Sequence, residues 1–298
     1  MKDGNQGIAR RWKLRWIAFA AVPLSVMAGP FCRAAAAAPD SAPSGQGGAG
    51  TESPGAGSAL FSDSPGNPIL RRLAFTCRGP ATIRGSELIT VDPNKRYELT
   101  GWFRSVGTDP SKICFGYALF DADKKPITAE QVGVLLRTET TLFAACKKED
   151  TVLKIAQGAN WQPNAQACVA FETDDSGKYN DLPNRNLSPL GIAKVEDRGD
   201  HWEVVLKAPC GRDCPAGTKV REHLSGPPYL FAAAAGQVVP ATWTQSSGYV
   251  YGMATAGAGS TLWWPGTKYA RVVILLNYGQ DNNYSVLVSA VSVLDETP

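Results

Sequence analysis

Two long runs of β-branched and aromatic residues near the C-terminus restrict what this chain can fold into. They lie within residues 266–296, and a Gly/Asn/Asp cluster at 279–283 separates them. Such a pattern is typical of a β-hairpin. Because an isolated hairpin is marginally stable in water, strands this long need neighbours on both sides. The sequence therefore predicts an all-β fold, an antiparallel sandwich. Alternation in the second run predicts a shared face for three residues: Val286, Val288 and Ala290.

The N-terminus has the pattern of a secretory signal peptide. A positive segment precedes an apolar stretch at 16–28, and small residues follow at 34–38. The apolar stretch is shorter than the ~20 residues that a membrane-spanning helix needs. We therefore expect residues 1–38 to be removed on export, leaving no membrane span. An uncleaved anchor, a lipoprotein modified at Cys32 and twin-arginine export through Arg10-Arg11 are the alternatives.

Removal of this segment changes the charge balance. The whole chain has 30 Lys/Arg and 27 Asp/Glu, and residues 1–38 hold six of the basic residues and one acidic residue. The remaining chain therefore has a net charge near −2, which gives no electrostatic support for a nucleic-acid partner. Export predicts a periplasmic, cell-surface or extracellular location.

A segment rich in Pro, Gly, Ser and Ala follows, at residues 39–68. It has too few large apolar residues to offset the entropy of ordering, so we expect a disordered linker. Residues 69–298 are long enough for a sizeable core, and we expect them to form a single β-sandwich domain.

Six cysteines remain after export, and an even number in an exported chain is typical of disulfide bonds. Cys210 and Cys214 flank a three-residue loop, and we expect them to be bonded to each other. The other four allow three connectivities, and the sequence does not choose among them. They are Cys77, Cys114, Cys146 and Cys168.

Strands follow one another along the chain. The pattern predicts strands at 87–91, 96–104 and 113–120, the last apolar on both faces and therefore central. Further strands are expected at 151–156, 167–172, 191–197 and 201–207, with a hairpin turn at 197–200. A short helix is expected at 138–150. The segments 179–190 and 218–265 are expected to be long loop insertions.

Several of these stretches resemble the galactose-binding-like jelly-roll β-sandwich domains. That family includes carbohydrate-binding modules of secreted bacterial polysaccharide-degrading enzymes. The resemblance implies a jelly-roll topology and a sugar ligand, and it covers about 87–127 and 266–296. Ser289-Ala290 stands where the family often has an Asp pair that helps to hold calcium. The matching stretches are Val91-Asp92-Pro93, 97–103, 115–117, 120–123 and 284–295.

The insertion at 218–265 is rich in aromatic residues interleaved with Gly, Ser, Thr and Pro. Aromatic rings suit the apolar face of a sugar, and planar Arg, Glu and Asn groups suit its hydroxyls. We therefore expect a ligand surface on these loops. Trp102, on a polar strand face, is either a further platform or a covered residue. The candidate ligand-binding residues are Trp263, Trp264, Trp243, Tyr229, Arg221, Glu222, Arg185 and Asn184.

Catalytic and metal motifs give weaker indications. Glu222 beside His223 suggests acid–base chemistry, which in glycosidases needs a facing carboxylate such as Asp174, Asp175 or Asp181. Asp121-Ala122-Asp123 resembles the start of a calcium loop but lacks the Gly and Glu that should follow. We expect no catalytic residues and no cofactor, with a structural calcium ion as the open alternative.

The sequence therefore predicts a secreted, non-catalytic carbohydrate-binding protein with a polysaccharide or other glycan as its partner. Two alternatives stay open. One is a polysaccharide-active lyase or hydrolase on a jelly roll, and the other is an envelope protein that binds another protein.

Overall fold

The computed structural model describes residues 74–296 and, nearer the N-terminus, the backbone of residues 14–16. In chain order the elements are β1 (Leu14–Trp16), β2 (Phe75–Arg78), β3 (Ala81–Arg84), β4 (Ile89–Thr90), β5 (Arg96–Val106), β6 (Ser111–Phe120), β7 (Pro126–Ile127), α1 (Ala129–Val132), β8 (Thr140–Thr141), β9 (Val152–Ile155), β10 (Ala167–Phe171), β11 (Ile192–Asp197), β12 (Trp202–Leu206), β13 (Lys219–Leu224), β14 (Leu230–Val239), β15 (Thr244–Val250), β16 (Tyr269–Leu276) and β17 (Ser285–Glu296). Apart from β1, the predicted signal peptide and linker lie outside the described residues.

Two larger antiparallel sheets form the main body of the protein. The first sheet has the order β1-β17-β5-β15, with β2 also paired to β17. The second sheet has the order β14-β6-β16-β3, with β4 on β16 and β7 on β6. The all-β, antiparallel prediction is confirmed, and β6 is central as expected because it pairs on both sides.

The main core lies between these two sheets. Alternation along each strand sends every second side chain inward, so Leu99 and Phe103 of β5 meet Phe115 and Tyr117 of β6. Phe103 and Phe115 pack edge to face, with ring centroids 5.4 Å apart. The rest of the chain is organised around this interior.

The two C-terminal runs are both strands, but they do not pair with each other, so the hairpin prediction is wrong. β16 pairs with β6, β3 and β4 in the second sheet, whereas β17 pairs with β5, β2 and β1 in the first. The connection therefore crosses from one sheet to the other. At its start Asn277 has a positive φ and its side-chain amide donates to the carbonyl of Gly79, 2.6 Å away.

A bulge in β17 changes the predicted inward face. The pairing with β5 slips between Ser289 and Ser292, and Ala290 has a positive φ. After the bulge Val291 and Val293 enter the core, and Ala290 does not continue the inward series. A local alternation pattern cannot show such an extra residue.

Residues 134–224 form a second body, which we name the inserted module. It consists of two three-stranded antiparallel sheets, in the orders β10-β13-β8 and β11-β12-β9. Its own core contains Leu153, Val169, Phe171 and Val204. The strands predicted at 151–156, 167–172, 191–197 and 201–207 are confirmed, as is the turn at 197–200.

Two predictions for this part of the chain are wrong. Residues 138–150 contain the short strand β8 and turns where a helix was expected. The expected loop at 218–265 contains β13, β14 and β15, and each pairs along a predicted strand. Their small and polar residues hide the strand pattern, because β14 contains four consecutive alanines and the buried positions of β13 include Arg, Glu and His.

The chain enters and leaves the inserted module at two adjacent residues. The amide of Leu224 donates to the carbonyl of Gly133 over 2.7 Å, just after α1. A Cβ at Gly133 would overlap the carbonyl oxygen of Leu224. Glycine is therefore required here by close backbone approach and not by an unusual φ.

Among the residues that the structure describes, no helix is long and apolar enough to cross a membrane.

Candidate functional site

Trp263 and Trp264 lie inside the protein, contrary to the expectation of exposed rings. Both side chains are 0 % exposed and belong to the main core. The Trp263 ring packs against Tyr97 and Tyr117, at 5.3 and 5.1 Å between centroids. The main core supplies the apolar partners that the residues adjacent in sequence lack, which is why the rings are buried.

Arg221 and Glu222 are also buried, in β13 of the inserted module. The Arg221 guanidinium pairs with Asp181 at 2.5 Å and lies over the Tyr179 ring at 5.1 Å. Its Nε donates to Nε2 of His223 over 2.8 Å. These contacts hold the loop at 174–184 against β13, so Arg221 has a positioning role.

Glu222 points to the other side of β13, because successive residues of a strand face opposite ways. Burial raises the pKa of this carboxyl to about 7, although the amide of Gln162 donates to Oε2. Oε1 has no hydrogen-bond partner in the described part of the chain. Glu222 and Asp181 therefore do not face each other as a glycosidase pair would.

Asn184 and Arg185 hold the loop at 179–190 in place. The buried amide of Asn184 donates to the carbonyl of Phe171 at 3.0 Å and to the carboxylate of Asp181 at 2.9 Å. Exposed Arg185 pairs with Asp121 at 2.7 Å. The Asp121 carboxylate also accepts bonds from two amides of its own turn, so it is occupied within the protein.

Tyr229 and Trp243 lie on different sheets. The Tyr229 hydroxyl accepts a bond from Arg84 over 3.0 Å, and its ring packs on Phe231 against the outer side of the second sheet. Trp243 directly precedes β15 of the first sheet, under the guanidinium of Arg104 at 5.5 Å. The eight predicted residues therefore do not form one site, and Trp243 is the one that leads to a candidate surface.

The outer side of the β5–β15 pair carries a surface that the sequence analysis missed. We name it the β5–β15 face. Even-numbered residues of β5 and odd-numbered residues around β15 point outward, while their neighbours are buried in the core. Its members are Arg96, Glu98, Thr100, Trp102, Arg104, Trp243, Gln245, Ser247 and Tyr249.

Aromatic rings stacked with arginines lie at both ends of this face. The Arg96 guanidinium lies 4.3 Å from the centroid of the Tyr249 ring, and Arg104 lies over Trp243 at the opposite end. Tyr249 is 46 % exposed, so its outer surface is open to solvent. These cation–π contacts place a positive charge beside the aromatic ring at each end of the face.

Small polar groups fill the middle of the face. Register places Gln245 opposite Trp102 and Ser247 opposite Thr100. The Thr100 hydroxyl lies 2.9 Å from that of Ser292 in β17. Hydroxyl and amide groups thus separate the two aromatic ends. The signal available in the sequence was the placement of Trp243, Tyr249 and Tyr251 at odd positions, with polar Gln245 and Ser247 at the odd positions between them.

A small cavity lies near one end of β5, with a volume of about 270 Å³. An ion pair between Lys95 and Asp295, at 3.3 Å, lies along its wall. Its volume falls below the ~300 Å³ at which small-molecule sites usually begin. It is lined by Glu87, Ile89, Thr90, Asp92, Lys95, Tyr97, Val293 and Asp295.

All six cysteines in the described region are unbonded, so the predicted Cys210–Cys214 disulfide is not formed in the structure. Within the same region, no three His, Cys, Asp or Glu side chains are arranged to hold a metal ion. Comparison with protein-family models, curated proteins and solved structures finds no match to this chain.

Proposed function

We propose that this chain is an exported protein that binds a polysaccharide or another glycan on the β5–β15 face. One observation carries the proposal: arginine-stacked aromatic rings flank a row of hydroxyl and amide side chains on an exposed sheet surface. Sugars present apolar C–H faces to such rings and hydroxyls to such polar groups.

The dimensions of the face favour an extended ligand. Trp243 and Tyr249 are six residues apart on one extended segment, a separation on the order of 20 Å. A single sugar ring would contact only one of the two aromatic ends. A chain of several sugars would contact both ends and place its hydroxyls over Thr100 and Ser247.

The composition of the centre favours a glycan over a protein partner. Tyr, Trp and Arg also dominate hot spots at protein interfaces. The centre of a protein interface is usually apolar, however, with its polar groups at the rim. Here the order is reversed, since Thr100, Ser247 and Gln245 lie between Tyr249 at one end and Trp102 with Trp243 at the other.

The same proposal includes a jelly-roll arrangement of the two larger sheets, similar to the galactose-binding-like domains. Two antiparallel sheets that pack around one core, with consecutive strands β16 and β17 in opposite sheets, support it. Export of the chain through its N-terminal segment is also part of the proposal.

The test is a glycan-array screen of the purified protein, followed by affinity measurements with substituted proteins. Trp243→Ala and Tyr249→Ala should each weaken binding by about 5- to 150-fold, the loss that hot-spot aromatics produce. Tyr278→Ala is the matched control, because Tyr278 is 45 % exposed but lies in the β16–β17 connection. It should bind normally.

Three outcomes would contradict the proposal. Normal affinity in both substituted proteins would place the glycan elsewhere. Absence of binding to every glycan, with capture of a protein partner lost in the same two variants, would favour the interface alternative. Release of oligosaccharide products by the wild-type protein would instead show that the protein is a polysaccharide-active lyase or hydrolase.

A further inference from the structure

Three cysteine thiols meet at one place in the inserted module. Cys146 and Cys214 lie opposite each other in an antiparallel bridge, with their amides and carbonyls exchanging bonds of 2.9 and 3.0 Å. Cys210 reaches the same place from the adjacent loop. The thiols of Cys146 and Cys210 both donate to the carbonyl of Arg212, at 3.8 and 3.3 Å. All three side chains are buried.

Cys146 is the member that contacts both of the others. Its thiol donates to the same carbonyl oxygen, of Arg212, that accepts a bond from the Cys210 thiol, and its backbone pairs with that of Cys214. A bridge in this cluster is therefore expected to involve Cys146, in contrast to the local pairing suggested by the three-residue spacing.

Backbone geometry disfavours Cys214 as the partner. In a directly opposed, hydrogen-bonded antiparallel pair the Cβ atoms are about 5.5 Å apart. A disulfide needs Cβ atoms roughly 3.5–4.5 Å apart. Two segments that exchange both backbone hydrogen bonds cannot approach further without breaking them. A Cys146–Cys214 disulfide would therefore disrupt these two hydrogen bonds.

Cys210 is under no such constraint and is held beside Cys146. Its amide donates to the carbonyl of Asp150 over 2.8 Å, and the next amide, of Gly211, donates to Lys148 over 2.9 Å. Its thiol lies 3.0 Å from the carbonyl of Lys147, the residue after Cys146. The loop therefore carries Cys210 alongside the backbone that follows Cys146.

We propose that Cys146 and Cys210 form a disulfide bond that closes the inserted module. Both residues lie in the module, and the bond joins the segment before β9 to the loop after β12. Cys214 keeps a free thiol at the same place. The bond is independent of the glycan proposal, since neither residue belongs to the β5–β15 face.

The oxidant is a disulfide such as oxidised glutathione, as in an oxidising compartment. One cysteine thiolate attacks a glutathione sulfur and releases one glutathione. The second thiolate attacks the resulting mixed disulfide and releases the other. The protein loses two protons and two electrons, and the oxidant becomes two thiols. Burial, with the neighbouring thiols, raises the pKa of Cys146 to about 12, so exchange occurs before the module closes or when it opens.

The primary test is peptide mapping of the full chain after refolding in a glutathione redox buffer. Free thiols are alkylated under denaturing conditions, and the digest is analysed without reduction. A linked peptide that joins Cys146 to Cys210, with Cys214 alkylated, is the expected result. A Cys210–Cys214 link, a Cys146–Cys214 link or alkylation of all three would overturn the proposal.

Thermal unfolding gives a second reading. Reduction should lower the melting temperature of the wild-type protein on the order of 10 °C, because a long closed loop is released. Cys210→Ser should remove this response, whereas Cys214→Ser and the buried control Cys114→Ser should keep it. If Cys210→Ser does not fold, the peptide map of the wild-type protein still decides. A response that persists in folded Cys210→Ser would contradict the bond.

Discussion

Arg221 donates from Nε to Nε2 of His223, and this bond fixes the imidazole as neutral. A guanidinium always donates, so Nε2 must accept and the ring proton lies on Nδ1. There it is donated to the carbonyl of Glu130, 2.7 Å away. Burial and the nearby Arg221 charge lower the pKa of His223 to about 4, in spite of the Glu130 bond. The network therefore keeps its single positive charge on Arg221, where Asp181 balances it.

Replacement of this arginine should be strongly destabilising. Arg221→Ala leaves the partly buried Asp181 without its cation, and loss of one partner of a buried pair costs about 3–5 kcal/mol. The free energy of unfolding, measured with urea, checks this. Lys219→Ala removes an exposed partner of Asp175 from the same strand and should cost less than about 1 kcal/mol. Equal losses in the two proteins would show that Arg221 is not specially required.

Glu222 should make stability fall as pH rises. Its folded pKa, about 7, lies above the ordinary value of 4.5. The unfolded chain therefore releases this proton first, and stability declines between about pH 4.5 and 7. Glu222→Gln removes the ionisable carboxyl. The stability of the substituted protein relative to the wild-type protein should therefore rise across this window by roughly 3 kcal/mol. Urea unfolding at pH 4 and pH 8 measures the difference.

Glu149→Gln is the control for that comparison, because its side chain is 70 % exposed. Its effect should be nearly the same at both pH values. A pH-independent effect of Glu222→Gln as well would mean that the buried carboxyl is not held protonated.

The buried indole of Trp263 should matter for stability. Trp263→Ala empties a space between Tyr97 and Tyr117, and a large-to-small change of this kind costs about 3–5 kcal/mol. Tyr251 lies in the same β15–β16 connection as Trp263, but its ring is 45 % exposed. Tyr251→Ala should therefore change stability by less than about 1 kcal/mol. Thermal unfolding, followed by the far-UV circular dichroism of the backbone, distinguishes the two substituted proteins. A stable Trp263→Ala protein would argue against its core position.

Gly133→Ala should weaken the junction between the main body and the inserted module. The added methyl group overlaps the carbonyl of Leu224, so the backbone bond between these residues must lengthen or break. We expect a loss of about 1–3 kcal/mol. Gly177→Ala tests the specificity, because a Cβ there meets nothing, although its positive φ adds a smaller strain. Greater harm from Gly177→Ala would contradict the overlap argument.

Strand positions could be read from the sequence where apolar and polar residues alternate, as in β5 and β12, or where a short run is apolar on both faces, as in β6. Strand partners could not. β16 and β17 form no hairpin because each finds longer pairings in a different sheet, with β6 and β5. β14 contains four consecutive alanines, and such small residues give no periodic signal. Pairing depends on residues distant in sequence, which a local pattern does not contain.

The candidate site was harder to predict than the fold, for a related reason. Aromatic composition at 218–265 pointed to a ligand surface, but composition does not separate core rings from exposed ones. Trp263 is buried because its ring packs into the main core. Tyr249 is exposed because it occupies an outward-facing position of β15. Arg96 and Arg104 could not be linked to that region, since only the β5–β15 pairing brings them there.

The junction at Gly133 and Leu224 makes the inserted module separable from the topology of the main body. Because the chain leaves and re-enters the main body at two hydrogen-bonded residues, a short turn could in principle replace everything between them. The strand order of the two larger sheets would be unchanged by that exchange. The main body is thus topologically complete without the module, since no strand of its two sheets lies between Gly133 and Leu224.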